Sequence, residues 1–96
     1  MDINIKAIHF DITEKLTAFI EKKVDKFTRH YPAVATVDVS LKVVKPETAL
    51  NKQAIVRMAV PGEELVADKT ADTFEEAIDL SLEALEKQLE RNKNKK

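Results

Sequence analysis

The sequence of 96 residues contains no cysteine, no tryptophan and a single glycine, Gly62. Without cysteine the chain has neither a disulfide framework nor a thiolate metal site, which suits a reducing compartment. One glycine cannot build a glycine-rich phosphate-binding loop. No apolar run approaches the ~20 residues that span a bilayer, and the first ten residues lack the charged leader and apolar block of a signal peptide. We therefore expect a cytoplasmic protein without membrane contact.

Residues typical of catalytic and metal sites are also sparse. The two histidines, His9 and His30, are far apart and belong to no HExxH or other spaced metal motif. Ser40 and Ser81 have neither a glycine elbow nor a nearby base, which favours structural roles for both. We predict that the chain is not an enzyme and has no catalytic residue, cofactor, metal or small-molecule substrate.

The remaining composition is typical of a soluble globular protein. Hydrophobic residues make up 44% of the chain and charged residues 34%. A chain of this length buries roughly two thirds of the surface of its unfolded form, which is enough for one modest core. We predict a single domain over residues 1–96.

Alternating apolar and polar residues predict four strands. The four segments are 3–8, 36–45, 53–60 and 64–70. In the second segment Val37, Val39 and Leu41 face one way, as expected for a half-buried strand. Residues 46–52 are predicted to form a loop, and a turn at Pro61-Gly62 joins the last two strands.

Apolar residues at intervals of three and four predict two amphipathic helices. The first helix is capped by Asp11 or by Thr13 and ends before Pro32. Its stripe consists of Leu16, Ile20, Val24, Phe27 and Tyr31. The second helix begins at a capping box formed by Thr73 and Glu76 and is periodic as far as Leu89. Residues 91–96 are predicted to form a frayed basic tail.

The order of elements predicts an α+β fold. A crossover through the first helix places the first strand parallel to the second, and hairpins add the other two strands antiparallel. Each helix has one apolar stripe and the strands have one apolar face. We therefore predict a β-α-β-β-β-α chain with two helices packed on one face of a four-stranded mixed sheet, and the opposite face in water.

The formal net charge is only −1, but the charges are segregated along the chain. Residues 51–86 carry three cations against nine acids, whereas residues 87–96 carry five cations and one acid. On the first helix Lys15, Lys22, Lys26 and Arg29 form a narrow band beside a separate acidic band. Interleaved pairs would support the helix better than like pairs four apart. A solvated face, with cations favoured near the helix C-terminus, is the simpler interpretation of this band.

The charges of the second helix are sorted in the same way. Its acids occupy one flank, while Lys87 and Arg91 stand four apart on the other. Two helices in one layer could then present adjacent basic edges with the acidic surfaces turned away, which would bind phosphates in a defined pose. The basic tail has a simpler interpretation as a solubilising end. His30 lies in the basic stretch, where it either assists RNA contact or covers the helix end.

Several motifs resemble one known family. They are ITEKL at the start of the first helix, KVDKF near its end, the VPG turn, and AID followed by LEKQLER in the second helix. In this order, over nearly the whole chain, they resemble the ribosome hibernation promoting factor family, also called the ribosome-associated inhibitor or sigma-54 modulation family. Members are similar in fold to double-stranded-RNA-binding domains. The length of the chain resembles the short form of the family.

The resemblance implies a function. Such proteins bind the small ribosomal subunit where mRNA and tRNA would sit and inhibit translation by occlusion in stationary phase or stress. The implied partners are that subunit and its rRNA, and the free protein is expected to be monomeric. Carried over by position, the implied rRNA contacts are Lys22, Lys23, Lys26, Arg29, Lys87, Arg91 and Lys93.

Two positions depart from the family pattern. Ala84 stands where many relatives have lysine, and Lys69 where they often have a small residue. The rival interpretation is a protein-binding transcription modulator acting on a sigma-54 system, through the acidic flank of the second helix or the exposed sheet face.

Overall fold

A computed structural model describes residues 2–44 and 50–94 of the chain, and side chains within 2–44 and 50–91. The elements are β1 (Asp2–Ile8), α1 (Glu14–His30), β2 (Thr36–Val43), β3 (Lys52–Val60), β4 (Glu63–Ala71) and α2 (Phe74–Asn94). The predicted β-α-β-β-β-α order is confirmed. Most of the predicted loop at 46–52 lies outside the described residues.

The four strands form one mixed sheet in the order β1-β2-β3-β4. β1 runs parallel to β2, with Ile5 opposite Val39. β3 is antiparallel to both of its neighbours, with Val56 opposite Val39 on one side and Ala67 on the other. The predicted crossover and hairpins are therefore confirmed, and β1 and β4 form the two edges.

Local side chains determine where the helices begin. Thr13, not Asp11, caps α1, because its Oγ1 accepts a hydrogen bond of 3.1 Å from the Leu16 amide. Thr73 Oγ1 likewise accepts from the Glu76 amide at 3.1 Å, which is one of the two hydrogen bonds of the predicted capping box. α2 continues to Asn94, so the predicted frayed tail at 91–96 overlaps the helix as far as residue 94, and residues 95–96 lie outside the described part.

The turn between β3 and β4 depends on backbone freedom. Val60 pairs with Glu63, so only Pro61 and Gly62 lie between the strands. Gly62 has a φ of +76°, in the left-handed region that costs other residues free energy. A Cβ there would meet nothing within 4 Å, so the constraint is conformational and not steric.

Both helices bury their apolar stripes against one face of the sheet. Side chains with almost no exposure are Ile20, Val24, Val37, Val39, Leu41, Val56, Met58, Ile78 and Leu85. Ser81 is also fully buried, and its hydroxyl donates to the Ala54 carbonyl oxygen at 3.3 Å. The opposite face of the sheet is polar, with Asn4 donating to Asp38 at 3.0 Å across two strands. One layer of helices therefore covers one side of the sheet, as predicted.

The buried stripe of α2 makes the first prediction. Ile78→Ala removes a fully buried side chain and should lower the free energy of unfolding by about 2–5 kcal/mol. Leu80→Ala, two residues away on the same helix at a side chain 37% exposed, should cost less than about 1 kcal/mol. Urea unfolding followed by circular dichroism measures both. Equal losses at the two positions would show that this stripe is not the packed face.

Candidate functional site

The orientation of α2 determines which of its charged flanks meets each neighbour. α2 contacts β3, β4 and α1, and it buries Ala77, Ile78, Ser81 and Leu85 against them. At about 100° per residue, most of its acids lie on one side of this stripe, and Lys87 and Arg91 lie on the other. The acidic flank faces α1 and the basic flank faces the β4 edge of the sheet.

The predicted cations of α1 differ in how they are paired. Lys22 and Lys26 are exposed and make no ion pair with another described residue. Arg29 is exposed too, but its guanidinium lies 2.8 Å from Asp25 one turn earlier. Lys22 and Lys26 therefore remain available for an external anion, whereas Arg29 would have to exchange partners.

Lys23 faces α2. Its Nζ lies 3.3 Å from Asp79 Oδ1 and 5.4 Å from the centre of the Phe19 ring. The ion pair is about half exposed, so its contribution to stability is no more than about 1 kcal/mol. We call Lys22, Lys23 and Lys26 the α1 basic patch. The ion pair of Lys23 connects this patch to the neighbouring helix.

A row of carboxylates lies directly beside the α1 basic patch. A groove of about 300 Å³ between the helices is lined by Lys23, Lys26 and His30 from α1, and by acids of α2. We call these acids the acidic row, which comprises Asp79, Glu83, Glu86 and, one turn further, Glu90. The expectation that the acidic surfaces are turned away from a joint basic edge is therefore wrong. Burying the apolar stripe of α2 sends its acidic flank towards α1.

The cations of α2 lie on the far side of the acidic row. Lys87 and Arg91 line a second groove, of about 250 Å³, between α2 and β4. Lys69 and Ala84, the two positions that depart from the family pattern, line the same groove. We call it the β4–α2 groove. Lys93 belongs to the last turn of α2, but its side chain lies outside the described residues.

The comparisons with known proteins agree with this fold. A family model described as sigma 54 modulation protein / S30EA ribosomal protein matches residues 3–96. The chain belongs to this family. The family named from the sequence motifs is therefore confirmed.

Two relatives and two solved structures illustrate the match. A ribosome hibernation promoting factor of Azotobacter vinelandii is 30% identical over 95 residues, covering 99% of this chain and 85% of that protein. One of Pseudomonas putida is 28% identical, with 99% and 89% covered. A ribosomal subunit interface protein from Coxiella burnetii has a TM-score of 0.88 at 24% identity, covering 99% of this chain and 100% of the other. The N-terminal domain of Thermus thermophilus Protein Y has a TM-score of 0.78 at 22% identity, covering 95% and 98%. These structures support the fold.

Lys69 was not among the site residues expected from the sequence, yet it lies in the same groove as Lys87 and Arg91. The available signal was its place in the alternation of β4. Leu65 and Ala67 are buried on the helix-facing side, and Lys69 continues that row opposite Ala54 of β3. A lysine in a row of core positions stands at the rim of the helix layer.

Other kinds of site find little support in the described part of the chain. No three or more His, Cys, Asp or Glu side chains within it are grouped to hold a metal ion. Its helices include none that combines the length and apolarity needed to cross a bilayer. Phe10 stacks on Phe74 with ring centres 5.0 Å apart, and Tyr31 contacts Phe27 at the same distance. These aromatic side chains serve packing.

Tyr31 joins the ends of the two helices. Its hydroxyl donates to Glu90 Oε1 at 2.8 Å across 59 positions of sequence. This hydrogen bond, then burial and the negative charges of Glu86 and Glu90, raise the pKa of Tyr31 to about 12. The acidic row is thus anchored to α1 at both ends, by Lys23 and by Tyr31.

The second prediction concerns this contact. Tyr31 is the only tyrosine and the chain lacks tryptophan, so absorbance near 295 nm reports its ionisation alone. We expect the wild-type pKa at about 12, and a lower pKa in Glu90→Gln because the anionic acceptor is lost. Since the pKa is raised in the folded state, the stability it contributes is complete below pH ~10 and is lost as the pH rises from ~10 through 12.

Glu75→Gln is the matched control, because it removes one exposed carboxylate from the first turn of the same helix. It should leave the titration of Tyr31 unchanged. A wild-type pKa near 10 would show that the contact with Glu90 does not form in solution.

Proposed function

We propose that this chain is a ribosome hibernation factor, which binds the small ribosomal subunit in the channel for mRNA and tRNA and inhibits translation there. Its membership of the family, and the relatives named ribosome hibernation promoting factor, support a ribosome-associated role. The finer parts of the proposal are the subunit, contact with rRNA, action in stationary phase or stress, a cytoplasmic location and a monomer when free.

The exposed, unpaired cations of the helix layer carry this proposal. Lys22 and Lys26 of α1 and Arg91 of α2 make no ion pair with any other described residue. Cations that neutralise phosphates release condensed counterions, which supplies most of the affinity for a nucleic acid. Structured RNA is recognised mainly through its backbone and shape, because its deep major groove hides the bases. This surface suits such recognition without base-specific contacts.

The acidic row constrains how RNA can bind. A single strand passing straight from the α1 basic patch to the β4–α2 groove would cross Asp79, Glu83 and Glu86, and its phosphates would be repelled there. We therefore propose that the two cationic surfaces contact two separate backbone segments of folded rRNA. Lys23, Arg29 and Lys93 would contribute at the margins of these contacts.

Inhibition needs no reaction in this proposal. The described part of the molecule extends 46 × 23 × 18 Å, and a folded domain of that size excludes a tRNA stem from the space it occupies. The core needs no rearrangement to bind, because the cations are already exposed. The expected interaction is rigid docking of a preformed surface.

The third prediction tests the α1 basic patch. Lys22→Glu with Lys26→Glu should weaken co-sedimentation with purified small subunits at least tenfold at moderate salt. It should also reduce the slope of log affinity against log salt by about two, since two phosphate contacts are lost. The wild-type slope should be roughly −4 to −5 for five or six contacts.

The matched control is Lys6→Glu with Lys42→Glu, which reverses two exposed lysines on the opposite face of the sheet. It should retain the wild-type affinity and slope. If the α1 variant bound as tightly as this control, the helix layer would not be the RNA-binding surface.

The fourth prediction concerns the acidic row. Glu83→Gln with Glu86→Gln removes two negative charges. In the proposal, these charges repel an RNA strand that crosses directly from the α1 basic patch to the β4–α2 groove. The variant should bind an unrelated RNA duplex several-fold more tightly than wild type and lose discrimination in favour of small subunits. A gel-shift titration beside the sedimentation assay measures both. Unchanged binding of the unrelated duplex would show that the acidic row does not select the pose.

A protein-binding modulator of a sigma-54 system is the second candidate, favoured by the exposed acidic row and by the first half of the family description. Recovery of partners from lysate with and without ribonuclease separates the two proposals. The ribosomal proposal expects recovery that ribonuclease abolishes, whereas a protein partner would persist.

A further inference from the structure

We propose that the β4–α2 groove is a distinct phosphate-binding site, in which Lys69 of β4 acts with Lys87 and Arg91 of α2 on an RNA backbone segment. This inference rests on the proposed function and adds a strand residue to the binding surface. It also makes the groove independent of the α1 basic patch.

The position of Lys69 is the first observation. It lies opposite Ala54 in the helix-facing row of β4, where Leu65, Ala67 and Ala71 are buried. Lys69 is the cation of this row, and it is exposed at the rim of the layer. The other charged residue of the row, Glu63, lies at the far end of the strand, beside the turn. A lysine can lay its aliphatic stem along apolar surface while its amine reaches outward, here towards α2.

The groove has a small side chain in its helix wall, and a hydrogen bond holds its two walls together. Ala84 contributes only a methyl group to the helix wall, which leaves about 250 Å³ of space, roughly the volume of eight waters. Gln88 Nε2 donates to the Val66 carbonyl oxygen at 3.1 Å and so fastens α2 to the edge strand beside the groove. The cations therefore stand on two rigid elements, which limits the ordering needed to bind an anion.

The fold itself makes little use of these three cations. Lys69 and Arg91 have no ion pair with another described residue, and Lys87 approaches Glu83 only at 3.6 Å in an exposed pair. Lys87 and Arg91 are like charges four residues apart, an arrangement that destabilises a helix. The groove therefore contains three cations and one carboxylate, and a bound anion would reduce the repulsion between the cations.

Glu83 separates the two cationic surfaces. It lines both the groove between the helices and the β4–α2 groove, so it stands on the ridge of α2 between them. A phosphate held by Lys69 and Arg91 lies on the opposite side of this ridge from Lys22 and Lys26. The segment bound in the β4–α2 groove is therefore not a direct continuation of the strand bound at α1.

The test exploits the two walls of the groove. Lys69→Ala should weaken binding to purified small subunits several-fold and reduce the salt slope by about one, because one phosphate contact is lost. Adding Ala84→Lys to this variant returns a cation to the groove from the helix wall. The double variant should recover the wild-type slope and most of the affinity. Lys6→Ala, on the opposite face of the sheet, is the matched control for one lost charge.

Each outcome decides the matter. The inference is overturned if Lys69→Ala behaves like Lys6→Ala, or if Ala84→Lys fails to restore the slope, since the charge would then act elsewhere. In those cases wild-type binding and its loss in Lys22→Glu with Lys26→Glu would leave the proposed function standing. Absence of wild-type binding to small subunits would instead overturn the proposed function and this inference together.

Discussion

The burial of one stripe of α2 is the constraint on which the charged surface depends. Ala77, Ile78, Ser81 and Leu85 must all leave water, and together they determine the rotation of α2 about its axis. Because they are fully buried, turning the helix by even one residue would expose methyl groups worth several kcal/mol. The charges contribute far less and follow this orientation. The acidic flank therefore meets α1 and the basic flank meets β4.

Much of the fold follows from local pattern. The stripe of α1, its end before Pro32, the alternation in β2 and the turn at Gly62 each agree with the final structure, because a single period or backbone preference decides them. The N-cap of α1 could not be chosen from the sequence, because Asp11 and Thr13 are both residue types that cap helices. The end of α2 also lies beyond its apolar pattern, as a helix continues while its backbone hydrogen bonds form.

The arrangement of the candidate site was less predictable. Angles around one helix axis are local, so the sorting of charges on α1 and α2 could be derived from sequence. Which flank faces a neighbour depends on how both helices pack over the sheet. The expectation of a joint basic edge was wrong because this packing places the acids of α2 beside α1. The proximity of Lys69 to two of the expected site residues could not be predicted for the same reason. Its strand position is local, whereas its proximity to Lys87 and Arg91 arises only when α2 lies beside β4.

The energetics of the ion pairs bear on why the charges are sorted. Lys23–Asp79, Arg29–Asp25 and Lys87–Glu83 are all exposed, and such pairs are worth only about 0–1 kcal/mol each. The stability of the fold therefore does not explain why the charges are sorted into rows. Alternating positive and negative side chains would stabilise the helices more. Binding a polyanion exerts a stronger pressure, since each neutralised phosphate adds to the affinity. In the proposed complex, a row of acids between two rows of cations would accept RNA whose backbone lies on both sides of the row and not above it. Such a surface would discriminate between folded RNAs by the positions of their phosphates, and not by their total charge.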